Sequence, residues 1–102
     1  MPNLVKKMLK EIKGIRPKRF KRLIILDIIL QEYAYLVGVD YEELVERLRP
    51  KIIRQAIKKL DLEFTEELNK FIIGVTDEAL EDYIRMLKYF RGKEEEEGNE
   101  EE

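Results

Sequence analysis

Five cations crowd one stretch of this sequence: Arg16, Lys18, Arg19, Lys21 and Arg22 surround Pro17 and lead directly into residues 23–37, where only Asp27, Gln31 and Glu32 are polar. Guanidinium and ammonium groups at this density recognise anions, arginine through a planar fork that matches phosphate. With Arg16 at the N-cap of the helix that follows, no side chain is supplied for the free N–H groups of Lys18 and Arg19. The cations then stand at the positive end of the helix dipole, each unfavourable by roughly 0.3–1 kcal/mol. Such a start suits phosphate or another anion. The competing expectation is that carboxylates from the acidic segments 61–67 or 77–82 fold over these cations and neutralise them. Lys6, Lys10 and Lys13 on the preceding helix would widen the surface, and nucleic acid is the commonest partner able to meet several such cations with backbone phosphates. Phe20 is either a ring on which a base stacks or, packed as a helix staple, a core residue.

Other chemistry is sparsely provided for. The chain has no histidine, cysteine, serine or tryptophan and only two threonines, so the usual nucleophiles and near-neutral general bases are missing. Asp, Glu, Lys and Tyr remain. The spacing of arginines and acids along a long first helix that small helical chorismate mutases use is not present. We expect no catalytic residue, no cofactor and no metal site. Without cysteine there is neither a disulfide nor a thiolate ligand. Charged residues make up 41% of the chain while Asn and Gln are scarce, a balance reported for hyperthermophile proteins.

The elements that must position these residues follow from periodicity and punctuation. Residues 17–37 read as one central helix, apolar on most sides and therefore covered by others. Its fifteen-residue apolar body, with two carboxylates, is short of the roughly 20 residues that cross a bilayer. Leu4, Val5, Met8, Leu9 and Ile12 mark an amphipathic first helix with Asn3 as its cap and lysines on its other face; its apolar side packs on the central helix or, alternatively, lies on an anionic membrane. Three corners share one grammar, 14–17, 38–41 and 74–77: a glycine ends one helix in the left-handed conformation, and an apolar pair staples the next. The pairs are Ile15 with Phe20, Val39 with Leu44 and Val75 with Leu80. Asp40 with Glu43 completes a capping box. A helix from Tyr41 runs to about Leu48, Pro50 opens another that buries Ile52, Ile53, Ala56, Ile57 and Leu60, Thr65 caps a short helix to Ile73, and Thr76 caps the last. That last helix buries Ala79, Leu80, Tyr83, Ile84, Leu87 and Phe90, pairs Glu81 with Arg85, and stops at Gly92. No segment alternates with period two.

The predicted fold is all-α: a compact bundle of five to six short helices in a single domain, residues 1–91, followed by a disordered acidic tail, 92–102. Segments 36–49 and 72–85 align without gaps, as a duplicated hairpin or as independent uses of one corner; the aromatic and alanine pattern of tetratricopeptide repeats is missing. Ala34, Gly38, Val39 and Leu44 resemble the small, glycine and apolar positions of a helix-turn-helix. The resemblance implies a recognition helix over 41–49, but that helix would turn Glu42, Glu43 and Glu46 toward the groove and repel phosphate.

Charge is segregated along the chain. Nine Lys or Arg face a single acid in residues 1–22, eight acids face a single lysine in 61–82, and seven glutamates fill 94–102; without that last block the net charge of −2 becomes +5. The tail is a solubiliser or a competitor for the basic surface. No signal peptide is recognisable at the amino terminus, so a cytoplasmic location is expected. The functional expectation is a non-enzymatic accessory module that binds nucleic acid or another polyanion through its phosphate backbone at Arg16, Lys18, Arg19, Lys21 and Arg22, assisted by Lys6, Lys10 and Lys13. The alternative is a protein-interaction or self-assembly module, with a protein partner or as a homo-oligomer; membrane attachment through the first helix is a third option.

Overall fold

A helix that is apolar on most sides can be stable in water only where neighbours cover those sides. In the computed structural model, which describes residues 2–61 and 76–100 and the side chains within 4–61 and 76–92, the described residues meet that demand with five helices. They are α1 (Pro2–Ile12), α2 (Lys18–Val37), α3 (Tyr41–Glu46), α4 (Pro50–Leu60) and α5 (Asp77–Glu100). Among the described residues there is no strand. Each of the other four helices packs against α2, which buries Leu23, Ile25, Leu26, Ile28, Ile29, Leu30 and Ala34. Leu4, Met8 and Ile12 from α1, Val45 from α3, Ile53, Ala56 and Leu60 from α4, and Leu80, Tyr83, Ile84 and Leu87 from α5 complete one core with Leu48. No helix among the described residues is long and apolar enough to cross a membrane. The expected helix over 65–73 lies outside the described residues, as do the staple residue Val75 and the start of the second corner copy.

Punctuation is local chemistry. Gly14 and Gly38 take positive φ, 87° and 74°, and the amides of Gly38 and Val39 both reach the carbonyl of Ala34, closing the end of α2. Asp40 accepts from the amide of Glu43 at 3.2 Å and Thr76 from that of Ala79 at 3.2 Å, each capping the helix that follows. Pro50 occupies the first turn of α4, where its missing N–H costs nothing.

Several boundaries and faces differ from expectation. Asn3 is not the cap of α1, because the helix already includes Pro2, whose fixed φ suits a first turn. α3 ends at Glu46 and Leu48 lies in the link to α4, buried there. Residues 35–37 are not enclosed: Tyr35 is 88% exposed and Leu36 and Val37 are exposed beside it. The physical reason is length, since the 20 residues of α2 span about 30 Å while eleven-residue α1 and α4 cover about 16 Å each. Arg85 pairs with Asp82, one turn away, and not with Glu81.

The end of α5 is the largest correction. The backbone continues helically through Gly92 to Glu100 where a stop and a disordered tail were expected. A glycine ends a helix by going left-handed, which is favoured when an apolar residue just beyond it folds back onto the core. After Gly38 comes Val39; after Gly92 come Lys93 and a run of glutamates, good helix formers with nothing to bury.

Gly38 and Gly92 both face open space where a Cβ would sit, so substitution tests backbone conformation alone. Gly38→Ala is expected to lower stability by about 1–2 kcal/mol through left-handed strain, whereas Gly92→Ala is expected to raise it, by up to about 1 kcal/mol. Urea midpoints of the two variants check the opposite signs; a loss at Gly92 would contradict the continuous α5.

Candidate functional site

The first turn of α2 is built by Pro17. Its ring biases Arg16 away from the α region, so the helix starts one residue later than the sequence suggests: the N-cap is Pro17, with φ −65° and ψ 122°, and not Arg16. Pro17 supplies a carbonyl to the amide of Lys21 at 3.2 Å but has no side chain to cap with, and no side-chain cap bond forms. The one-residue shift also undoes the expected staple. Ile15 is half-buried, while Phe20, now at the third helical position, is 46% exposed. Its ring lies 5.7 Å from that of Phe90, tilted by 48°, and Phe90 in turn meets Tyr89 edge-on at 5.8 Å. Phe90 is therefore a half-open surface residue at 36% exposure, not part of the core.

The five cations of this start divide in two. Arg22 is half-buried: it donates to the Tyr83 hydroxyl and its guanidinium stands 5.6 Å from the Tyr83 ring centre. It joins α2 to α5 as a structural group. Arg16, Lys18 and Arg19 are exposed and Lys21 half-exposed, and among the described residues none of these four enters an ion pair. Of the acids expected to neutralise them, those at 63, 66 and 67 lie outside the described residues. Those of α5 are engaged elsewhere or remain in solvent, Asp77 with Arg54 at 2.7 Å and Asp82 with Arg85. Arg19 and Arg22 line an open cleft of about 370 Å³ with Asp82, Tyr83 and Met86 of α5.

The lysines of α1 are sorted by the ion pair, 3.4 Å, between Lys7 at the midpoint of α1 and Glu32 in the carboxyl-terminal half of α2. Because the short link 13–17 also joins the end of α1 to the start of α2, the two helices run antiparallel. Lys6 lies near the level of Glu32, fourteen residues or about 21 Å along α2 from Lys18, so it is not brought to the cation cluster. Lys13 is carried toward it by the Gly14 turn, and Lys10 is intermediate. All three are exposed.

Sequence reasoning missed a second start of the same kind. At α4 the N-cap is Arg49, without a side-chain cap bond, and Pro50 and Lys51 follow. The tripeptide Arg-Pro-Lys thus opens two helices, at 16–18 and at 49–51, a repeat legible in the sequence. Arg47, Arg49, Lys51 and Lys88 line the concavity beside it with Glu46, whose carbonyl accepts from Lys88 at 3.1 Å. The basic face of α4 is partly committed, since Arg54 holds Asp77. The helix-turn-helix comparison also shifts: α3 has only six residues, and Glu42 is half-buried in a pair with Arg91, which stacks on Tyr41 at 4.8 Å.

No protein-family model matches the chain, and neither curated proteins nor solved structures provide a match. The site is therefore read from its own chemistry. Among the described residues no group of three or more His, Cys, Asp or Glu is placed to hold a metal ion.

The Arg22–Tyr83 contact carries its own expectation. Tyr83→Phe removes one acceptor of a half-buried guanidinium, and stability is expected to fall by about 1–3 kcal/mol without loss of the exposed cations. Paired denaturation curves check this; an unchanged midpoint would mean the contact is only incidental.

Proposed function

We propose that the protein is a non-enzymatic accessory module that binds nucleic acid or a similar polyanion at the start of α2. The observation that carries this reading is the state of Arg16, Lys18, Arg19 and Lys21: four neighbouring cations without a carboxylate partner among the described residues, on a helix end whose dipole is also positive. Like charges so placed repel one another and the free amides of the first turn. A chain of phosphates relieves that repulsion and releases counterions. Lys13 and Lys10 extend the surface, and contacts of this type follow the backbone and carry little sequence information. The glutamates of the tail act as an intramolecular competitor.

A second reading, a protein-interaction or self-assembly module, is favoured by the other end of α2. Tyr35, Leu36, Val37 and Val39 leave apolar surface in solvent there. Measurement of mass in solution across concentration separates the two, since a strict monomer without a co-purifying protein weighs against the second.

Binding to DNA and RNA is expected to weaken steeply with salt, each neutralised phosphate adding about 0.9 to the log–log slope. The variant Lys18→Gln/Arg19→Gln/Lys21→Gln is expected to lower that slope by up to ~2.7; an unchanged slope would remove the assignment to this helix start. Glu94→Gln through Glu97→Gln, made together, is expected to tighten binding, and an unaltered affinity would leave the tail a solubiliser only.

A further inference from the structure

Beside the unpaired cations lies a feature that a purely electrostatic surface does not need. Phe20 projects from the same turn as Arg19 and Lys21 and is nearly half exposed, and its ring is held 5.7 Å from that of Phe90, with Tyr89, 63% exposed, edge-on to Phe90. Three exposed aromatic side chains from two helices thus form one platform of rings tilted against one another. Along α2, Arg19 and Lys21 leave the helix about 100° to either side of Phe20.

We propose that the ligand of this face is a single-stranded nucleic acid whose bases stack on Phe20 and Phe90 while its phosphates meet Arg19 and Lys21. This rests on the polyanion reading above and narrows its substrate class. A single strand alternates a flat π face with one negative charge per nucleotide, and this surface sets Phe20 between two positive charges. In a duplex the base faces are already stacked on one another and only edges and phosphates are offered, so the platform would contribute nothing. A protein partner docking on the rings would have to strip water from Arg19 and Lys21 as well, and would need acids placed on both sides of one ring. Stacking on aromatic side chains is tolerant of sequence, because every base has a π face, which agrees with contacts directed to the backbone.

The test is fluorescence anisotropy of the full chain with labelled oligo-dT and oligo-rU of about 12 nucleotides, within the site sizes such surfaces cover, against a duplex of the same length at several salt concentrations. Strands are expected to bind more tightly than the duplex. Phe20→Ala is expected to weaken strand binding roughly 5- to 100-fold while leaving the salt slope and duplex binding unchanged. Phe20→Leu, which retains apolar packing against Phe90 without a π face, should show a similar loss, so that a loss caused by misfolding of the alanine variant is recognised. Equal affinity for strand and duplex with an intact salt slope would overturn stacking and leave the cation site standing. Absence of salt-dependent binding to either would overturn both. A drop in solution mass on Phe20→Ala without nucleic acid would identify the platform as a contact between copies of the chain and overturn the proposal.

Discussion

The wide apolar face of α2 is the constraint from which the rest of the fold follows. Leu23, Ile25, Leu26, Ile28, Ile29, Leu30 and Ala34 are buried, and at 100° per residue they take up about 240° of the circumference, leaving the line of Asp27, Gln31 and Tyr35 as the side that is not buried. A single neighbouring helix could not cover so wide a face. Enclosure by α1, α3, α4 and α5 is the response, and it explains why the flanking helices can be short and strongly two-faced: each contributes one stripe and leaves its other side to charge.

Charge excluded from that core has been distributed unevenly. Polar ties fasten neighbours to α2 and to one another: Tyr41 with Asp27, Arg91 with Glu42, Arg22 with Tyr83. Exposed ion pairs of the kind made by Lys7 and Arg54 contribute little to stability in water, so those two set the register of the helices more than they hold them together. Ahead of Arg22 the ties stop, and Arg16, Lys18, Arg19 and Lys21 enter no ion pair among the described residues.

Much of this was legible residue by residue. A glycine followed by an apolar residue marked the left-handed ends at Gly14 and Gly38, and Asp40, Pro50 and Thr76 marked starts, because each acts through chemistry within one turn of itself. Arg16 was misjudged by one position since a proline governs the residue before it, and that single step carried Phe20 from an expected staple to the surface. Phe90 follows the apolar stripe of α5 by periodicity, yet periodicity records direction only. Whether a neighbouring helix extends far enough to cover it depends on relative lengths, as it also does at Tyr35. Gly92 was misread for a complementary reason: the same residue type stops or continues a helix according to whether the sequence beyond it has anything to bury. The candidate cations were visible as a cluster, but their sorting into structural Arg22, gathered Lys13 and remote Lys6 required the antiparallel course of α1 and the packing of α5.

Arg22 has one more consequence. By stacking against Tyr83 and donating to its hydroxyl, it welds the start of α2 to the second turn of α5, two segments far apart in the chain. The rings of Phe20 and Phe90 are carried on that weld. Their spacing is thus settled when the protein folds, and whatever docks on this face meets a shape already made, with little ordering left to be done at the moment of encounter.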